Sequence, residues 1–471
     1  MEIFSVHFFI FVLIAILVYY LLPGKLQSPF LLLASYFFYI LWNWRFAASL
    51  LALTLFNYFL GRLLYRSPKE RQKLVFRLGV VVNATALAVF LLGSTISGYL
   101  NNIYKEIGSA GFYFHILIPL GFSYRALECI SYLADINLKL AQPASSLLDF
   151  GLYMAYFPKL VSGPIERARS FLPQLAKEVR IDDRTIARSL LLIFSGLFRS
   201  IVLAGMLTVL IPRSVFLHPL DYSSTEVVMG LVIYVFYLYN QFAGYTDLMR
   251  GISGFFGVEL TRNFSTPFFS KDFSDFWKRW HISLSQWLRD YVYMPLSRSF
   301  LRRNPSRKNI PNLLIPPLIT MLVSGFWHGG SLHLLLWGLM NGVFIVSENV
   351  FNLFKPTSPS ERKPIWRRIL GVTVLMPLIL FAAIPFRLDL PMSKVFLYGI
   401  VKLNKWSIPD YRPFFVIGLS LIYDALQYYS NDEFVFLKWP GWIRTILVAF
   451  VTVAVIIVYN LQMMPATFVY P

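Results

Sequence analysis

The stretch IFSVHFFIFVLIAILVYYLL, residues 3–22, holds no acid, lysine or arginine and is long enough to cross a bilayer. Further apolar segments follow near 29–42, 46–61, 74–98, 112–134, 147–161, 187–211, 225–243, 312–327, 331–350, 369–386, 411–429 and 442–463. Several are short for a span or broken by proline and glycine, so about ten to twelve segments are expected to cross. Glu2 precedes the first run, with no basic leader and no small-residue cleavage site, so it reads as a retained span rather than a signal peptide. There is no internal repeat, low-complexity segment or soluble extension long enough to fold alone. The expected fold class is therefore an all-α polytopic membrane protein, residues 1–471 forming one transmembrane domain.

Charge supports this reading. Only 14% of the 471 residues are charged, against about a quarter in soluble domains. Aromatic residues reach 17%, which suits lipid-facing helices with interfacial belts. The net charge of +19 is concentrated in short connectors: GRLLYRSPKERQKLVFR (61–77), SRSFLRRNPSRKN (297–309) and ERKPIWRR (361–368). Basic residues accumulate there on the cytoplasmic side and against anionic lipid. No basic stretch is joined to a soluble recognition fold, so no nucleic-acid partner is expected. The single cysteine, Cys129, excludes an internal disulfide and any multi-cysteine metal site.

The segment from Tyr239 to Ser297 breaks the apolar pattern with glycine, charge and aromatics, and is not expected to cross as one helix. Within it, Phe273, Phe276, Trp277, Trp280, Leu284, Trp287, Leu288 and Tyr291 recur at three- and four-residue steps. That period predicts a helix capped by Ser270 or Ser274, lying in the interface or packed across the bundle. His281 falls on its apolar side, where a lone histidine is more often a hydrogen-bonded structural residue than a catalyst.

His328 is harder to read as structural. It lies in SGFWHGG (324–330), between the uncharged runs NLLIPPLITMLVSGFW and LHLLLWGLMNGVFIV. A membrane-buried ionisable group is expensive and is usually paired or functional. Gly325, Gly329 and Gly330 around it permit close approach of backbone or ligand. No metal is expected: His328 and His333 diverge on a helix, and no carboxylate stands at ligand spacing. No nucleophile elbow supports a Ser–His–acid triad. General-base chemistry needs only one histidine beside an acceptor hydroxyl.

Four stretches in order carry a resemblance: IPLGFSYRALECISYLAD (118–135), FPKLVSGPIERARSFLPQL (157–175), FAGYTDLMRGISGFFG (242–257) with DFWKRWHISLSQWLRDYVYMPL, and GFWHGGSLHLLLWGLMNG (325–342). The chain resembles the membrane-bound O-acyltransferases, in the bacterial branch of alginate O-acetyltransferases and teichoic acid D-alanyltransferases. The resemblance implies a ring of transmembrane helices, with re-entrant and interfacial helices around a central tunnel. It also implies that His328 is catalytic, that His281 is the second site residue, and that the protein resides in a bacterial inner membrane. Trp277, Trp280, Ser285, Arg289, Tyr245, Asp247 and Trp327, in the matched stretches, are candidate substrate contacts. Two positions depart from the pattern: Gln241 stands where relatives often have an acid, and Asn341 where many have a further histidine.

The expected reaction is acyl transfer to a hydroxyl. Neutral His328 takes the hydroxyl proton while the oxygen attacks an acyl thioester, and His281 holds a substrate or polarises the carbonyl. By resemblance the co-substrate is acetyl-CoA or a similar thioester, with no bound cofactor. The acceptor is a surface glycan, with an extracytoplasmic acyltransferase as a possible partner. A lipid or teichoic-acid-type acceptor is the alternative. A transporter is the more distant one, disfavoured by the lack of inverted-repeat symmetry.

Overall fold

The computed structural model describes residues 3–93, 96, 97, 101, 119–175, 182–212, 214–306, 309–353, 365–402, 407 and 410–461, the side chains of 365–371 excepted. Parts of the expected apolar segments at 74–98 and 112–134, and of the basic connectors at 297–309 and 361–368, lie outside the described residues.

Among the described residues, every regular element is helical. Seven helices are long and apolar enough to cross a membrane: Trp44–Arg66, Lys69–Leu91, Asp183–Leu210, Ser224–Gly254, Ile310–Trp327, Leu332–Leu353 and Gly441–Asn460. Three shorter apolar helices, Val6–Leu21, Val372–Arg387 and Leu390–Val401, accompany them. The protein is an all-α membrane protein. Trp44–Arg66 and Lys69–Leu91 are clasped by a reciprocal amide pair, Asn57 Nδ2 to Asn83 Oδ1 at 3.1 Å and Asn83 Nδ2 to Asn57 Oδ1 at 2.9 Å. Such polar pairs hold helices together where lipid supplies no hydrophobic drive.

Ser224–Gly254 is the most enclosed of the seven. Its 31 residues span about 46 Å at 1.5 Å each. Ser223 and Glu226 form a reciprocal capping box at its start. The helix runs on through Gly254, beyond the apolar segment expected at 225–243 and into the glycine- and charge-rich stretch that follows. Several of its polar residues are answered from neighbouring segments. Tyr239 donates to Asp424 Oδ2 at 2.6 Å, and Arg199 pairs with the same carboxylate. Arg250 binds Glu433 at 2.6 Å and Asp247 at 3.3 Å. Arg199 lies in a π-helical turn, Phe198–Leu203, inside the Asp183–Leu210 span.

A second buried network fixes the segment after the first matched motif. On the Phe122–Asn137 helix, Glu128 accepts from Arg125 and from Lys159, each at 2.7 Å, with all three side chains essentially inaccessible. Arg125 also donates to the Lys159 carbonyl at 2.9 Å, and the Lys159 ammonium lies 4.3 Å from the Tyr153 ring centroid. The Glu166 backbone N–H closes on Glu128 at 3.0 Å, and the Glu166 carboxylate takes the Thr261 N–H at 2.6 Å. Two acids and two bases thus pin residues 159–166 between a helix and the 261 loop. Breaking a buried pair on one side is far costlier than its net worth.

Candidate active site

The predicted helix through 273–291 is two helices. Asp272, rather than Ser270 or Ser274, caps Phe273–Arg279 by accepting the Asp275 N–H at 2.8 Å. Ser270 instead donates to the Pro267 carbonyl, and Ser274 to Glu348. The helix ends at Trp280, and His281 takes φ +43°, the left-handed region. Histidine is among the few side chains enriched there. Ile282–Leu288 then starts in a new direction and passes through a π-helical turn, Arg289–Tyr293. Trp287 anchors it by donating to the Leu127 carbonyl at 2.9 Å, and Tyr291 by donating to Asp135 at 2.7 Å. The three tryptophans therefore fulfil different roles, which periodicity alone could not separate.

His328 ends the other arm. Ile310–Trp327 and Leu332–Leu353 pack as a hairpin at glycine-to-glycine distance: a Cβ on Gly325 would lie 2.4 Å from the Leu334 carbonyl oxygen, and one on Gly338 2.3 Å from that of Met321. Past His328 the chain reverses through Gly329 at φ +149° and Gly330 at φ +68°. Only glycine tolerates that pair without strain.

The two arms bring both histidines to one aromatic cluster. The Trp327 ring centroid is 4.8 Å from that of His328 and 5.9 Å from that of His281, edge-on to each. Trp337 and Phe386 stand edge-on to His328 at 5.0 and 5.2 Å. Phe242 meets His281 at 4.9 Å, and Tyr124 lies 6.5 Å from His281 and 5.2 Å from Trp327. His281 and His328 are 2% and 6% exposed. Neither ring nitrogen of His281 has a hydrogen-bond partner beyond its own residue among the described residues, and the Trp327 and Trp277 Nε1–H groups are likewise unpartnered. Buried donors and acceptors rarely go unmet, so these atoms are candidates for recognising a polar ligand. His333, by contrast, is taken up at 2.7 Å by the Pro385 carbonyl.

The other candidates divide. Trp277 reaches the cluster through Trp337, at 6.0 Å. Trp280 backs it, packed on Phe264 and Phe276, and its carbonyl accepts the Ser285 hydroxyl at 3.0 Å. Tyr245 accepts the Ser162 N–H at 3.2 Å and so holds the 159–166 segment. Asp247 belongs to the Arg250–Glu433 group. Arg289 is largely exposed and pairs with its neighbour Asp290 at 3.0 Å. Tyr124, Phe242, Trp337 and Phe386 were not singled out from sequence. The first three lie inside the matched stretches, but nothing in an aromatic-rich chain distinguishes them from lipid-facing rings. Of the departures, Asn341 donates to the Trp337 carbonyl at 2.9 Å, behind the His328 wall. Gln241 is fully buried with both amide atoms unpartnered among the described residues.

The membrane-bound O-acyltransferase family model matches residues 72–388. The chain is 28% identical over 437 residues to a probable alginate O-acetylase of Azotobacter vinelandii, covering 91% of this chain and 85% of that protein. It is 29% identical over 367 residues to a peptidoglycan O-acetyltransferase of Helicobacter pylori, covering 71% and 68%. To a teichoic acid D-alanyltransferase of Bacillus subtilis it is 29% identical over 285 residues, covering 57% and 68%. Both histidines and the rings around them lie within the matched region, and the chain belongs to the membrane-bound O-acyltransferase family, as an integral membrane enzyme that transfers acyl groups to oxygen.

Proposed function

We propose that the enzyme moves an acetyl group from a thioester donor, such as acetyl-CoA, to a hydroxyl of a cell-surface polysaccharide, from a bacterial inner membrane. His328 is the general base. Its neutral imidazole takes the hydroxyl proton as the oxygen attacks the thioester carbonyl, giving a tetrahedral oxyanion. Collapse forms the ester and expels thiolate, which recovers the proton from the imidazolium as thiol. His281, which also packs against Trp327, and the Trp327 Nε1–H are the polar groups for the carbonyl or the acceptor. General-base assistance supplies about 10²–10⁴-fold, and positioning in a site closed to water supplies the rest.

The observation that carries this reading is the single cluster holding both histidines, with rings at 4.8, 5.0 and 5.2 Å around His328. A wall of three large rings favours a short acyl group over a long chain. The likenesses to a probable alginate O-acetylase and a peptidoglycan O-acetyltransferase, from the names those proteins carry, point to acetyl and to a polysaccharide. An acyl relay to an extracytoplasmic acyltransferase would use the same chemistry at this site. The likeness to a D-alanyltransferase favours a teichoic-acid-type acceptor as the second reading.

Purified protein in nanodiscs, offered acetyl-CoA with either a uronate polysaccharide or a teichoic-acid polymer, tests the choice by product mass. The reading expects a 42 Da gain per transferred acetyl, on the polysaccharide. Transfer to the teichoic-acid polymer alone would select the second reading, and transfer to neither would remove both.

A further inference from the structure

Ile282–Leu288 is a helix whose N-cap position is occupied by His281, and His281 does not cap it: no side-chain bond reaches the first turn, and φ +43°, ψ +55° is not the extended geometry of a capping residue. The first N–H groups of a buried helix must nevertheless be met. The first two are met from elsewhere in the chain. The main-chain carbonyl of Asn263 accepts the Ile282 N–H at 2.9 Å, and its side-chain Oδ1 accepts the Ser283 N–H at 3.2 Å. One step further along the same pairing, the Ser265 N–H donates to the Arg279 carbonyl at 3.0 Å. Residues 263–265 thus grip the chain on both sides of His281. Ser283 is held once more, its hydroxyl accepting the Ile165 N–H at 3.0 Å.

We infer that Asn263 is the positioning residue of His281. By capping the helix in place of His281, it holds the left-handed turn and leaves both imidazole nitrogens for substrate. Asn263 is 1% exposed, and its Nδ2 meets no partner among the described residues. The hydrogen bond that matters is therefore the one accepted by Oδ1. Asparagine and aspartate are equivalent as such acceptors, and alanine is not one. A left-handed non-glycine residue persists only where its surroundings over-determine it. Loss of the cap relaxes that constraint and lets the imidazole drift. The inference rests on the proposed role of His281 in the reaction.

The test is a double-mutant cycle in nanodiscs, with turnover expressed per folded molecule. Asn263→Ala is expected to lower kcat by about ten- to a hundredfold, the scale of a misplacement near 1 Å. Asn263→Asp should recover most of that loss. Placed on His281→Ala, Asn263→Ala should cost less than about twofold more, because the group it positions is already gone. Equal losses in the two backgrounds, or wild-type kcat in Asn263→Ala, would overturn the inference. Asn263→Ser, whose hydroxyl is too short to reach Ser283, replaces the alanine variant if that fails to insert. His281→Ala at wild-type turnover would overturn the reading of His281 itself, and a loss in His281→Ala with none in Asn263→Ala would sink the positioning role alone.

Discussion

His281 and His328 both pack against one indole, that of Trp327. The Trp327 ring centroid lies 5.9 Å from the first imidazole and 4.8 Å from the second, edge-on to both. One histidine reaches this place by a break between two short helices, the other by a glycine reversal after a long one. Neither local fold is common, and both end at the same buried ring. That convergence is what supports the proposed reaction centre over two structural histidines.

Arg289 is predicted to be dispensable. Its side chain is 65% exposed and its partner is the adjacent Asp290. An exposed pair of this kind contributes about 0–1 kcal/mol. Arg289→Ala should melt and turn over as the wild type does; a tenfold fall in kcat/KM would restore it as a substrate contact.

Glu128 is predicted to be essential to the fold. Glu128→Gln leaves Lys159 and Arg125 buried without the carboxylate they share. Removing one member of a buried ionic group costs about 3–5 kcal/mol. Thermal melting in detergent should show a large loss, and a melting curve within a degree or two of wild type would mean that the pair is not buried as described.

Trp337 is predicted to limit acyl length. It stands 5.0 Å from His328, with Asn341 holding its carbonyl. Trp337→Ala removes a buried ring, costs stability of about 3–5 kcal/mol, and leaves a cavity beside His328. The ratio of butyryl to acetyl transfer should rise with this variant. An unchanged ratio would place the acyl chain elsewhere.

The basic connectors at 61–77, 297–309 and 361–368 are predicted to share the cytoplasmic side. Cys129 is fully buried, so a cysteine introduced at Arg66, Arg303 or Lys363 reports without background. None should react with a membrane-impermeant maleimide in intact cells. Labelling from outside would reverse the assignment for that connector.

Hydrophobic runs made the class of fold legible, because a span requires a length of uncharged sequence that little else imitates. The helix carrying Tyr239, Asp247 and Arg250 was not legible as one element. Its charges look like a helix end until Asp424 and Glu433, nearly two hundred residues later, are seen to answer them. His328 could be chosen from its flanking glycines and its setting. His281 could not be placed correctly, since period 3.6 put it on a helix face and tertiary contacts put it at a break. Trp337 and Phe386 carried no local signal at all, as their partner is a ring that folding alone brings near.

The central claim is that His328 serves chemistry rather than structure. Glutamine keeps its size and hydrogen bonding but accepts no proton usefully near neutral pH. A group whose decisive interaction is made only in the transition state affects kcat when removed, with donor binding and folding largely kept. The measurement is single-turnover acetyl transfer by His328→Gln in nanodiscs, with donor affinity and melting recorded on the same sample. The expected result is a folded protein that binds the acyl donor and transfers almost nothing; transfer at close to the wild-type rate would show that His328 is not the base.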